Sequence, residues 1–215
     1  MSDSPTIGIF LHENKPEQSF RQLLTALTAQ ATPLLTHKGT LLPYAIDGIN
    51  YCYLLHKGHV VINRTKDGLS LNAETAPFIF GFSMLSDTLT LCTSCTLTDA
   101  VLSRIPLDLA MDIIQQHALW ESLSHVMVHI SSRIFAHCTR LSQPGAYGVI
   151  RYLLFELSLE SEASRKSEPV VRYIQSRCFL SRSRIMAVLS ALRQGSYIEI
   201  SNGKLLSINQ LPVKF

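Results

Sequence analysis

No stretch of about 20 residues in this chain is free of polar groups, so the sequence offers no hydrophobic helix to span a membrane. The opening segment MSDSPTIGIF has no basic run and no small-residue cleavage site, so no secretion signal is expected. Cysteine is sparse: Cys52, Cys92, Cys95, Cys138 and Cys178 form an odd, scattered set. That pattern argues against a disulfide framework and for reduced thiols in a cytoplasmic protein. Internal repeats and low-complexity tracts are lacking. Acidic residues almost vanish late in the chain. Residues 165–215 hold 9 Lys/Arg against 2 Asp/Glu, a net of +7, whereas residues 1–164 hold 10 against 14, a net of −4. A compact basic module on a mildly acidic body is the electrostatic footprint of a nucleic-acid binder. A solvated basic surface would give the same count.

What is present falls into three patterns. Residues Pro16 to Ala31 place Phe20, Leu23, Leu24 and Leu27 at helical spacing, with Glu17 in the first turn. From Leu34 to about Ile105, short apolar runs alternate with turns at Gly39, Asp47-Gly48, Lys57-Gly58 and Asp67-Gly68, which predicts antiparallel strands in a sandwich or roll. The Asp67-Gly68 step predicts a two-residue hairpin. From Pro106 to Leu141 there is no glycine and no interior proline, and Pro106 suits a first helical turn. Leu119, Leu123, Val126, Ile130 and Ile134 recur at three- and four-residue steps. The spacing predicts one long helix whose apolar seam meets a second copy of itself. The alternative is a pair of shorter helices packed within one chain, broken near Gln116-His117.

After a break at Gln143-Pro144-Gly145, AYGVIRYLLFELSLE predicts a helix, Ser158 to Glu168 a loop, and EPVVRYIQSRCF a further helix. Ser181 is a good N-cap for a helix from about Arg182 to Gln194. Its Ile185, Val188, Leu189 and Leu192 face inward, and its small Ser183, Ala187 and Ser190 face outward. YIEIS and KLLSI then alternate about Asn202-Gly203, a strong hairpin signal. Helix, turn, helix, hairpin meets the requirements of a winged helix-turn-helix, with Arg182 and Arg184 at the start of the recognition helix and Lys204 near the wing tip. Ser181, Arg182, Ser183, Arg184, Ala187 and Lys204 are the candidate DNA-binding residues. The alternative is a small helical bundle with an incidental basic face.

The run YLLHKGHVVINRTKDGLSL…FIFGFSML, the long helix and LSRSRIMAVLSALRQGSYIEISNGKLLSI together resemble the CRP/FNR family of bacterial transcription regulators across nearly the whole chain. The resemblance implies a DNA-binding regulator, and the departures from it are specific. Cyclic-nucleotide binders of that family carry Gly-Glu after the roll and Arg-Ser/Thr about ten residues on. The matching run here, GFSMLSDTLTLCTSCTL, has neither Glu nor Arg, so cAMP is not expected. The oxygen-sensing branch uses N-terminal cysteines for an iron–sulfur centre, and residues 1–51 contain none. No cofactor is therefore expected. Where the family often shows a Glu and a later Arg in the recognition helix, Ser183 and Ala187 stand here; Arg182 is retained.

Other candidates are weaker. Cys92-Thr93-Ser94-Cys95 is a CxxC, a candidate redox pair or half of a metal site, but on a strand its cysteines point to opposite faces, and no second CxxC follows. His56 and His59 flank a turn without the Glu and third His of a metal cupin. His117, His125, His129 and His137 are expected as a solvated stripe on the long helix. The expectation is an α+β chain: a cupin-like antiparallel β-roll over residues 1–105, a dimerisation helix over 106–141 and a winged helix-turn-helix over 142–215. It is expected to be a homodimeric, non-enzymatic regulator that binds double-stranded DNA. Nothing in the sequence names a small-molecule effector. The rivals are a cupin-type metal enzyme with a basic appendage and a regulator acting through protein contacts alone.

Overall fold

The computed structural model describes residues 15–82, 91–160, 162, 165 and 168–212. It divides into two compact units, Lys15–Ile134 and, among the described residues, the chain from Phe135 onward.

The first unit opens with α1 (Glu17–Thr28), whose Phe20, Leu23, Leu24 and Leu27 are buried as their spacing requires. Among the described residues nine strands follow: β1 (Thr32–Thr36), β2 (Leu41–Leu42), β3 (Ala45–Ile46), β4 (Ile49–Lys57), β5 (His59–Arg64), β6 (Ser70–Thr75), β7 (Phe78–Phe80), β8 (Cys92–Thr96) and β9 (Ala100–Pro106). One sheet runs β1-β9-β4-β3, with β7 also on β4, and the other runs β2-β8-β5-β6; every pairing is antiparallel. This is the expected roll. A ladder of rings fills it: Phe20 to Phe78 at 5.4 Å, Phe78 to Phe80 at 5.9 Å and Phe80 to Tyr53 at 5.2 Å between centroids. Offset ring pairs of this kind add about 0.5–1.5 kcal/mol each beyond their buried area.

Two glycines let strands approach closely. A Cβ on Gly58 (φ +99°) would lie 2.8 Å from the Asp99 carbonyl oxygen, and one on Gly81 (φ +107°) 2.7 Å from the Tyr51 carbonyl oxygen. Beyond Phe82, the segment expected to turn after the roll lies outside the described residues until Leu91. The Asp67-Gly68 hairpin differs from expectation. The connection between β5 and β6 is Thr65–Leu69, not two residues. Arg64 Nη2 pairs with Asp67 Oδ2 at 2.6 Å, and Asp67 Oδ1 accepts from Leu69 N–H at 3.2 Å, which stabilises the wider turn.

The single long helix is also corrected. β9 runs through Pro106, and the chain then forms α2 (Leu107–Gln116) and α3 (Trp120–Leu141), broken at His117–Leu119 where Ala118 takes φ +52°. Leu119 N–H bonds the Ile114 carbonyl at 2.9 Å, and Trp120 Nε1 donates to Gln115 Oε1 at 2.7 Å, closing the corner. The corner lays α3 onto the roll. Leu123 and Val126 are buried in the roll's own core, with Leu119 and Ile130 packed against it. The seam expected to form a dimer is therefore mostly used within the protomer, as the two-helix alternative held; of its members, Ile134 is exposed. Burying a Leu or Val in this way is worth about 1.5–3 kcal/mol. The face of α3 turned away from the core exposes Val128 and Phe135, at 65% and 70%.

A polar cluster reinforces the α3–roll contact. Glu74 on β6 is 3.2 Å from Arg133 Nε and 3.6 Å from His129 Nε2, both on α3. Asn72 donates to Glu74 Oε1 at 3.0 Å and accepts from Arg133 Nε at 3.1 Å. Burial alone would push the Glu74 carboxyl up, but its His129 and Arg133 partners outweigh that and hold it below the usual range. His129 thus does not belong to a solvated stripe. His125 does remain exposed, with Nδ1 3.1 Å from Ser19 Oγ.

The second unit holds α4 (Gly145–Leu159), α5 (Val170–Gln175), α6 (Arg182–Gln194) and the hairpin β10 (Ile198–Ser201) and β11 (Lys204–Ile208). α4 extends past Ser158, where a loop was expected. Ile150, Leu153, Leu154, Leu157, Ile174, Ile185, Leu189 and Leu192 form its core. α5 is shorter than expected and ends at Gln175, capped by Ser176. There Arg177 Nη1 donates to the Tyr173 carbonyl at 3.1 Å and the Cys178 thiol to the Ile174 carbonyl at 3.2 Å, occupying the helix's last acceptors.

Candidate nucleic-acid interface

α6 begins as its sequence dictates. Ser181 sits at φ −64°, ψ 150°, and its Oγ accepts from Arg184 N–H at 3.3 Å, satisfying one of the open donors of the first turn. Ile185, Leu189 and Leu192 are buried and Val188 is half-buried, so the inward face is fixed. Ser183, Ala187 and Ser190 are exposed on the opposite side, where their small size leaves the helix backbone approachable. Gly195 follows the last turn, and the Tyr197 ring occupies the space a side chain there would need, 2.4 Å from where its Cβ would lie.

The cations divide by what they touch. Arg177 lies 3.6 Å from the centroid of the Tyr173 ring and 3.6 Å from Glu168 Oε1, so it serves the domain's interior. Arg182 and Arg184 are exposed and, among the described residues, make no ion pair. Arg182 Nη1 donates to Gln175 Oε1 at 3.5 Å. With Arg172, Gln175, Met186 and Arg193, Arg182 lines a groove of about 620 Å³ that ends at the wing-tip residue Asn202. Sequence reading missed Arg172 and Arg193. A signal for the second existed: Arg193 lies eleven residues after Arg182, three turns along the same face.

The wing is a two-residue hairpin. Asn202 (φ +49°) and Gly203 (φ +76°) both take the left-handed conformation that this turn needs, and Ser201 pairs with Lys204 across it. The Gly203 carbonyl accepts from Val170 N–H at 2.8 Å, which seats the tip on the start of α5. Lys204 is half-buried at the base of that tip. The structure thus gathers Ser181, Arg182, Ser183, Arg184 and Ala187 on α6, with Lys204 in the adjoining hairpin.

The remaining candidates lie in the roll. Cys92 and Cys95 stand three apart on β8, both free and half-buried, with burial raising both thiols. That disfavours the reactive thiolate. His56 Nε2 is 2.9 Å from Ser103 Oγ. Among the described residues, no group of three or more His, Cys, Asp or Glu side chains is placed to hold a metal ion, and no helix is long and apolar enough to cross a membrane.

Residues 146–213 match a family model described as winged helix-turn-helix DNA binding. The chain is 28% identical over 214 residues to the inhibitor of hydrogen peroxide resistance of Salmonella typhimurium, covering 94% of this chain and 98% of that one. It is 26% identical over 205 residues to the protein of the same name in Escherichia coli, with the same coverage. Among solved structures, the c-di-GMP-responsive global regulator CLP of Xanthomonas campestris superposes with a TM-score of 0.70 at 18% identity, over 88% of this chain and 100% of that one. A CooA variant from Carboxydothermus hydrogenoformans gives 0.65 at 14% identity, over 98% and 94%. A CRP/FNR-family regulator from Eubacterium rectale gives 0.64 at 14% identity, over 87% and 90%. At such identities the likeness is one of fold. The chain therefore has the fold of the CRP/FNR-type regulators, and its residues 146–213 form a winged helix-turn-helix DNA-binding domain.

Proposed function

We propose that this chain is a homodimeric transcription regulator that binds double-stranded DNA through α6 and the wing. The observation that carries the reading is the pair Arg182 and Arg184, exposed and without ion pairs among the described residues, at the capped start of a helix whose outer face is small. In a major groove, such a helix end offers guanidinium groups to base edges and N–H groups to phosphate. The wing's Lys204 reaches the neighbouring strand. Two protomers pair along α3 by Val128 and Phe135, and a dimer of this kind reads two half-sites about 34–36 Å apart, one turn of duplex. The relatives named for inhibiting hydrogen peroxide resistance direct the reading to genes of oxidative stress.

Gel shifts against genomic fragments test this. The full chain retards a subset of fragments, and Arg182→Ala weakens that binding by about 5- to 150-fold, the worth of one bidentate contact to a base. Unchanged binding of Arg182→Ala to every fragment overturns the assignment of α6.

A further inference from the structure

Met186 is the only large apolar side chain that α6 leaves exposed, at 47%. It stands outside the domain's hydrophobic core, which takes Ile185, Leu189 and Leu192 from the same helix. Four residues after Arg182 and seven before Arg193, it shares their face and lines the same groove. The side chains nearest in sequence on the outer face are Ser183, Ala187 and Ser190, all short. Met186 therefore projects beyond them toward whatever this face meets.

A duplex major groove is lined with hydrogen-bonding groups and has one apolar feature, the C5 methyl of thymine. An unbranched thioether with three rotatable bonds adapts to such a target better than a branched side chain. We propose that Met186 reads thymine through its methyl group, making it a specificity residue beside the arginines. This rests on the reading of α6 as the DNA-facing helix. Arg182 selects by hydrogen bonding, whereas Met186 selects by apolar burial, so their preferences fall on different base pairs.

The test uses the full chain and duplexes selected by it from a random-sequence pool. Each thymine of the strongest duplex is replaced in turn by uracil, which removes only the methyl. At one or two positions in each half-site, uracil weakens binding roughly fourfold, the effect of exposing one carbon of apolar surface. Met186→Ala no longer distinguishes thymine from uracil there, and Met186→Leu still does. Tight wild-type binding that is indifferent to uracil at every position overturns the proposal, as does full thymine preference in Met186→Ala. A wild-type chain that retains no duplex at all overturns the DNA-facing reading itself, and that result appears before any uracil is placed.

Discussion

At the scale of single residues, Glu74 is the most constrained charge in the roll. Its carboxylate is buried and held by Arg133 and His129, so its proton is released more readily in the folded chain than in the unfolded one. Stability from this source is complete above the ordinary glutamate range of about 4.3 and is lost as pH falls below it, because the unfolded chain then takes up more protons. Glu74→Gln leaves Arg133 without its counter-charge and should cost about 3–5 kcal/mol at neutral pH. The gap to wild type should narrow as pH drops toward 4. Denaturant titrations at two pH values check both points, and a gap independent of pH would refute this account. Little of this was legible in the sequence. Glu74 is an ordinary strand glutamate until the fold brings β6 against α3, and nothing local to it announces Arg133, 59 positions on. The α6 residues were legible because their evidence is local: a cap, a 3.6-residue period and a small outer face.

Secondary elements show why some signals carry and others do not. Asn202-Gly203 predicts its own turn because both residues tolerate positive φ. Asp67-Gly68 misleads because the Arg64 and Asp67 side chains make a wider turn more favourable than the two-residue one. Ala118 gives the corner between α2 and α3 no turn signal, since alanine is the best helix former, so the sequence offered a break near Gln116-His117 only as an alternative. The break comes from packing: the turn lets Leu123 and Val126 reach the roll core. The strain suggests a direct check. Ala118→Gly removes a left-handed penalty of about 1–2 kcal/mol, less the entropy glycine adds to the unfolded chain. A net gain of about 1 kcal/mol by chemical denaturation is expected. A loss would mean that the corner is not held in this conformation.

The whole molecule was legible as an order of parts and not as an assembly. Pairings such as β1 with β9 or β2 with β8 join strands more than fifty residues apart, and no local pattern encodes them. The seam on α3 was read with the correct period and assigned to the wrong neighbour, because periodicity reports that a face is buried and not what buries it. The two halves of the helix surface now predict different failures. Leu123→Ala should lower stability by about 2–5 kcal/mol and leave the particle mass unchanged. Val128→Lys with Phe135→Lys should leave folding intact and halve the mass measured by light scattering. A double variant of unchanged mass would remove α3 as the dimer contact.

The hydrogen bond from Val170 to Gly203 ties together two points of the chain 33 positions apart. A wing anchored in this way is a strut and not a finger. Retargeting by exchanging α6 alone would keep the donor's angle to the duplex only if Pro169, Val170 and the Asn202-Gly203 tip travelled with it. The smallest portable reading head in this protein is accordingly the whole interval from Pro169 to Ile208.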